Sequence, residues 1–364
     1  MLCGTSDTEF KNIDFEYAGL RNFSSTGLTV ANCTFRYNNG KMTTTGALAI
    51  GSDGATFNVD NCIFEYNEVP AIGGSAMAAN GIEITNCKFI DNNTKNTNKP
   101  QVNLTVGGAN SVSIENCEFT GAQRTNVGAV AVANMAGIAG DNIVWISGNT
   151  IRDHRYGITF YGGMNATVAN NQIIDNKYAS SAMAGGAGIS IYDYGTKPNV
   201  TIKGNTIEGN LWGITVLGGE NVNIGKVDNP DADDYNPGHN TFKNNGNGGA
   251  LYDLYNNSAL TIYAQGNHWS VDEQTAEKIE SVIFHKPDDT KLGEVIYTRL
   301  GTVKAASTKS PRKQSDMPTA KSMPKVPTFR FTHLAAHSWH VQTALPTFRL
   351  SQAAYTWHAQ TAKC

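Results

Sequence analysis

No stretch of the sequence holds the ~18 consecutive apolar residues of a membrane-spanning helix, which argues against a helical span. Met1–Phe10 has neither a basic start nor an apolar core, so no signal peptide is visible there. The repeat described below begins almost at residue 10, which leaves a missing N-terminal portion open. The six cysteines include no C-x-x-C pair, and close pairs of that kind are what a structural metal site usually needs. Proline is scarce, 11 residues against 37 glycines, and charged residues make up only 16% of the chain. The formal charge of −3 conceals an acidic body: up to Gly301 there are 19 Lys/Arg against 30 Asp/Glu, a net −11 that does not suit a nucleic-acid partner.

What the chain does have is one recurring stretch, apolar-x-apolar-x-(Asn or Gly)-(Cys or Asn)-x-(Phe, Ile or Trp). It stands at Phe57–Phe64, Ile82–Phe89, Val112–Phe119, Val144–Ile151, Thr167–Ile174 and Val200–Ile207, with weaker copies at Leu28–Phe35 and Ile262–Trp269. Intervals of roughly 20 to 35 residues fit one structural repeat with loop insertions. The Asn/Gly column (Asn32, Asn61, Asn86, Asn116, Gly148, Asn170, Gly204, His239, Gly266) calls for a bend, because these residue types tolerate the left-handed region. The next column is Cys33, Cys62, Cys87 and Cys117, then Asn149, Asn171, Asn205, Asn240 and Asn267. Four cysteines in one repeat column point to a stack of reduced core thiols in preference to disulfides.

Each coil reads as two strands and a bend, the second strand opening after a glycine, as in Gly157–Tyr161, Gly188–Tyr192 and Gly213–Leu217. A second polar column follows three residues after the aromatic or Ile: Asn38, Asn67, Asn92, His154, Asn176, Asn210 and Asn245. Amides stacked at ~4.8 Å can bond one another and the bend backbone. These columns specify an all-β fold, a single-stranded right-handed parallel β-helix, over residues 1–301. Ser270–Lys286 has capping-box spacing at Ser270 and Glu273 and apolar Ala276, Ile279 and Ile283, and is expected to form a helix covering the open end. Residues 302–364 are basic and Pro/Ser-rich, and are expected to be a disordered tail or a reading-frame artefact.

Asn199–Gly219 and Gly148–Asn176 resemble the right-handed parallel β-helix repeats of the pectate-lyase-like (pectin lyase fold) superfamily. Gly266–Tyr297 is similar to the closing segment of secreted bacterial β-helix proteins, and of periplasmic ones that assist nitrous-oxide reductase maturation. The resemblance implies an extracellular or cell-surface protein that binds or acts on a polysaccharide along a groove on one exposed sheet. No lyase, hydrolase or epimerase signature is complete; Asp153–His154 only hints at a DPH-type motif, lacking its Pro.

Three clusters could carry chemistry. Asp153, His154 and Arg155 are candidate catalytic residues for β-elimination of a uronic acid, which needs a base and a cation, with Arg152, Tyr156, Asp175 and Lys177 beside them. His154 also falls in the second Asn column, so it is equally a ladder member, and the charged residues also suit a solvated turn. Tyr161, Tyr192, Asp193, Trp212 and Asp253 form a candidate sugar platform along the Gly-initiated strands, or a tyrosine column that merely stiffens the sheet. Asp231, Asp233 and Asp234, in an insertion at Gly225–Gly238, could hold Ca²⁺ or be a solvated acidic loop. The preferred function is a monomeric surface β-helix that binds a polysaccharide or surface glycan without necessarily cutting it. The alternative is a polysaccharide lyase or other carbohydrate-active enzyme acting on uronic-acid glycans.

Overall fold

The computed structural model describes residues 7–22, 26–41, 45–51, 55–77 and 81–299. Three long parallel sheets of 11, 9 and 10 strands run the length of the molecule. Every turn up to the last ones contributes one strand to each, as in Gly81–Thr85, Lys88–Ile90 and Val102–Gly107. We call the sheets first, second and third in that order. The coil therefore has three strands, one more than the sequence pattern suggests. The extra one is the triplet after the bend, whose central residue stacks in register on its neighbours, Phe89 on Phe64 and Phe119. Three residues are too few to display a period.

The bend column is left-handed at every member from Asn32 to Gly266, with φ between 48° and 70°. That conformation costs an ordinary residue about 1 kcal/mol or more and is tolerated by Asn and Gly. It turns the chain sharply from the first sheet into the second and fixes which side chains enter the core. Phe35, Phe64, Phe89 and Phe119 stack face to face with centroids 4.8, 5.2 and 4.4 Å apart, all buried. The column continues inside as Ile151, Ile173, Ile207, Phe242 and Trp269.

Beside it run two polar columns that satisfy buried backbone at the corners. In the first, Cys33, Cys62, Cys87 and Cys117 are buried free thiols; Cys62, Cys87 and Cys117 each accept the amide N–H of the cysteine before it at 3.4 Å, and Cys117 N–H then donates to Asn149 Oδ1 at 2.8 Å. From there Asn149, Asn171, Asn205, Asn240 and Asn267 pass side-chain bonds of 2.9 Å along the stack. In the second column Asn67 donates to Asn92 at 2.7 Å, and Asn176 to Asn210 and Asn210 to Asn245 at 3.1 and 3.0 Å.

The closing helix is shorter than expected. Only Ala276–Glu280 is helical, capped by Thr275, whose hydroxyl accepts from Lys278 N–H. Ser270 does not form the capping box, because its N–H and hydroxyl both donate to the Asp253 carboxylate, at 2.7 Å each. Ile283 leaves the helix and pairs with Leu254 at the end of the third sheet, while Val295–Ile296 ends the first. Ile279, Val282 and Ile283 join the core, so this segment does cover the solenoid's end. No helix among the described residues is long and apolar enough to cross a membrane. The basic segment 302–364 lies outside the described residues.

Candidate functional site

The outer face of the third sheet carries a groove. Its side chains register across coils: Thr159, Ser190, Thr215 and Tyr255 form one row, and Tyr161 aligns with Tyr192 in the next. Ile158, Phe160, Ile189, Ile191, Ile214 and Val216 face inward and are fully buried, as strand alternation requires. The outward row is small and hydroxylated, with Thr215 Oγ1 donating to Ser190 Oγ at 3.1 Å. On one side stands Trp212, and on the other Tyr192 and Leu217. The result is a shallow, narrow groove with a hydroxyl floor and apolar walls, its lining side chains largely buried.

Aromatic packing holds the walls. Trp212 meets Tyr252 and Tyr255 at 4.7 and 4.8 Å, and Tyr255 stacks on Phe284 at 4.6 Å, closing the C-terminal end. Tyr161 stacks on Tyr194 at 4.8 Å and tilts toward Tyr192 at 5.9 Å. The loop carrying Ala182–Gly185 forms the rim, tied down by Trp212 Nε1–H donating to Ala182 O at 2.8 Å. Burial pushes Tyr192 and Tyr255 each up to about 12, so both phenols stay protonated at neutral pH.

Arg155 also belongs to this rim. Its side chain is buried, donating to Ala184 O from Nε at 3.0 Å and again from Nη2, and to Asn98 Oδ1 from Nη1 at 2.5 Å. Tyr156 is buried under the guanidinium at 5.9 Å and packs over Gly128, where even a Cβ would come within 2.1 Å of its ring. Burial raises its phenol far beyond neutral titration.

Asp153 and His154 go elsewhere. They line a separate, tightly packed cleft with Asp91 and Arg124, and share no lining residue with the third-sheet groove. Asp153 takes a left-handed bend at φ 65°, and Arg124 is held bidentately by Asp91 at 2.6 and 2.8 Å. His154 is a ladder rung. Gln101 Oε1 accepts from Asn92 and turns its amide nitrogen to His154 Nε2 at 2.7 Å, leaving the ring proton on Nδ1. Burial pushes the imidazole down to about 3. Gln101 is the rung that the sequence pattern missed, because it enters from the start of a third-sheet strand and breaks the column spacing.

The remaining candidates scatter. Arg152 is exposed at the end of a second-sheet strand, and Asp175 pairs with Lys177 at 2.6 Å on the surface. Asp193 lies against Gly218, with its carboxyl raised by burial. Asp253 is fully buried away from the groove, where it accepts from Asn245 and Ser270 and burial pushes it up to about 6. Asp231, Asp233 and Asp234 are exposed, and Asp234 pairs with Lys226 at 2.5 Å. Among the described residues no three His, Cys, Asp or Glu groups are placed to hold a metal ion.

Residues 79–267, just over half of the chain, match the family model described as the right handed beta helix region. The chain belongs to the right-handed β-helix family. A comparison with curated proteins finds no match. Right-handed β-helices differ in function at their surfaces, so this membership accounts for the coil stack and leaves the groove to be argued from its own residues.

Proposed function

We propose that this β-helix is a secreted or cell-surface protein that binds polysaccharide in the third-sheet groove and does not cut it. The observation that carries this is the pairing of the Trp212, Tyr192 and Tyr255 walls with the Ser190 and Thr215 floor. Aromatic faces take up the apolar faces of pyranose rings, and hydroxyls fix the ring substituents. Elimination chemistry needs a base and a cation in one cavity. Here Asp153 shares its cleft with Arg124, but that guanidinium is held bidentately by Asp91, the His154 ring is neutral inside a ladder, and Tyr192 keeps its proton.

Incubation with a panel of uronic-acid and neutral polysaccharides tests the proposal, with retention in affinity electrophoresis read beside product formation. Retention on at least one glycan is expected, with no unsaturated uronate absorbance and no new reducing ends. Turnover that is lost in an Asp153→Asn, His154→Gln double variant would overturn it in favour of catalysis at those residues.

A further inference from the structure

We infer that the outer face of the first sheet carries a second glycan site, centred on Trp145, that takes an extended β-linked chain along the solenoid axis. This site stands apart from the third-sheet groove and does not rest on it. Strand Asn142–Ser147 brings Trp145 to the surface, where the residue is 38% exposed beside Ile143 at 54%. The indole is held in place. Trp145 Nε1–H donates to Ser147 Oγ at 2.8 Å, and Ser147 Oγ donates in turn to Glu115 Oε2 at 3.1 Å, a carboxylate that Ser113 Oγ also bonds. Trp145 and Ser147 are two apart on one strand face, so this bond lays the ring along its own strand. The one polar atom of the indole is satisfied within the protein, and its apolar face is what remains for a ligand. A ring fixed in this way loses little side-chain entropy on binding and suits the C–H face of a pyranose.

The coils that follow supply the polar partners. Trp145 aligns with Thr167, and Thr167 with Thr201. Both threonines are half-buried, and neither hydroxyl is bonded within the protein. Beside them Asn199 donates to Asn165 Oδ1 at 2.9 Å, which leaves the Asn165 amide hydrogens and the Asn199 side-chain carbonyl unbonded. The row is straight and advances ~4.8 Å per coil, close to the length of one sugar unit in an extended chain. A chain seated on Trp145 therefore meets one threonine hydroxyl at each further ring, whereas a coiled α-linked chain leaves the row after the first. Glu115 beside the indole and Lys203 two coils on stand at opposite ends of the flanking row, with Ser147 and Ala169 between them. A protein partner fits this face less well. Ile143 and Trp145 are the large apolar side chains exposed on the sheet among the described residues, far short of the ~800 Å² per partner that stable interfaces bury. Interior strands also offer no free edge for a peptide to extend.

Calorimetry on the full chain with cello-, xylo- and mannohexaose, and with maltohexaose as the coiled counterpart, tests this. At least one extended hexaose is expected to bind, with maltohexaose about tenfold weaker or more. Trp145→Ala is expected to weaken the extended ligand about tenfold or more, and Trp145→Phe, which keeps a flat ring, to recover most of that loss. Thr167→Ala combined with Thr201→Ala should cost about threefold or more. These side chains are partly exposed, so circular dichroism melts should show all three variants folded like the unaltered chain. Thr215→Lys, in the third-sheet groove, should leave the affinity for these hexaoses unchanged. Undiminished binding in Trp145→Ala, or maltohexaose bound as tightly as the extended chains, would overturn the inference. Loss in Thr215→Lys alone would also overturn it and leave the groove reading standing, whereas loss in Trp145→Ala alone would support it and take these ligands away from the groove. Absence of binding by all four hexaoses would overturn the inference, and retention of another polysaccharide in electrophoresis would still uphold the groove.

Discussion

Asn245 donates its side-chain N–H to Asp253 Oδ1 at 3.1 Å, and the second ladder ends there because a carboxylate has no hydrogen to pass on. Burial lifts the Asp253 carboxyl to about 6, against an unfolded value near 4. The native state thus binds the proton more tightly, and the associated stability is fully present below about pH 4 and lost as pH rises through about 6. Two pH units correspond to roughly 3 kcal/mol. Asp253→Asn removes the titration. Denaturant melts across pH 4 to 7 are expected to show the variant's stability curve rising relative to that of the unaltered chain over this window. Parallel curves would mean that Asp253 ionises freely in place.

His154 provides the opposite slope. Its imidazole stays neutral in the native ladder down to about pH 3, while an unfolded histidine protonates near 6.5. Stability is therefore retained above 6.5 and falls as the pH drops below it. His154→Ala leaves one hydrogen of the Gln101 amide, whose other bond runs to Thr120 O, without its acceptor, and is expected to cost about 1–3 kcal/mol and to flatten this acid limb. Glycan affinity should change less than twofold. A variant that melts like the unaltered chain but loses binding or turnover would return His154 to a functional role.

The fold was legible because each of its devices repeats. The bend column, the core aromatic column and most rungs of both ladders stand at constant offsets from one motif, and ten or so copies reinforce one another. The site was only half legible. Tyr161 and Tyr192 follow from strand alternation after a glycine, and Trp212 from the turn before Gly213, but Ser190 and Thr215 are small residues that become a floor only when adjacent coils align them. The Ala182–Gly185 rim is an insertion without period. Nor did adjacency in sequence guarantee a shared cavity: Asp153, His154 and Arg155 are consecutive, yet the corner sends the first two to one cleft and the third to another.

Phe89 lies between Phe64 and Phe119 at 5.2 and 4.4 Å, in a column with no exposed member from Phe35 onward. Stacked coils cannot slide inward to fill a hole, because the flanking strands are pinned by register on both sides. Phe89→Ala is expected to cost about 3–5 kcal/mol, read as a shift in denaturant midpoint at constant slope. Phe89→Ile copies the residue that later coils use at this position, as in Ile151 and Ile173, and should cost less than half as much. Equal losses for the two would show that ring stacking, and not filled volume, holds the column.

The cysteine half of the first ladder makes a chemical prediction that the asparagine half cannot. Cys33, Cys62, Cys87 and Cys117 are at most 3% exposed, and each of the last three accepts a backbone N–H through sulfur. Hydrogen bonding to Cys117 and Cys62, together with burial, raises the Cys87 thiol far above its ordinary range, and burial raises Cys33. Only the thiolate reacts with alkylating and disulfide reagents, so Cys33 and Cys87 are closed both sterically and electronically, whereas Cys62, its thiol lowered by its hydrogen bond with Cys87, and Cys117 are shielded by burial. Of the six thiols, at most two are expected to react in the native protein and all six in denaturant, with the late four appearing at the rate of unfolding. Mass spectrometry of pulse-labelled protein identifies which ones react. Rapid native labelling of Cys62 or Cys87 would mean that the corner opens locally, and the thiol column would then be a weak seam between coils and not a continuation of the amide ladder.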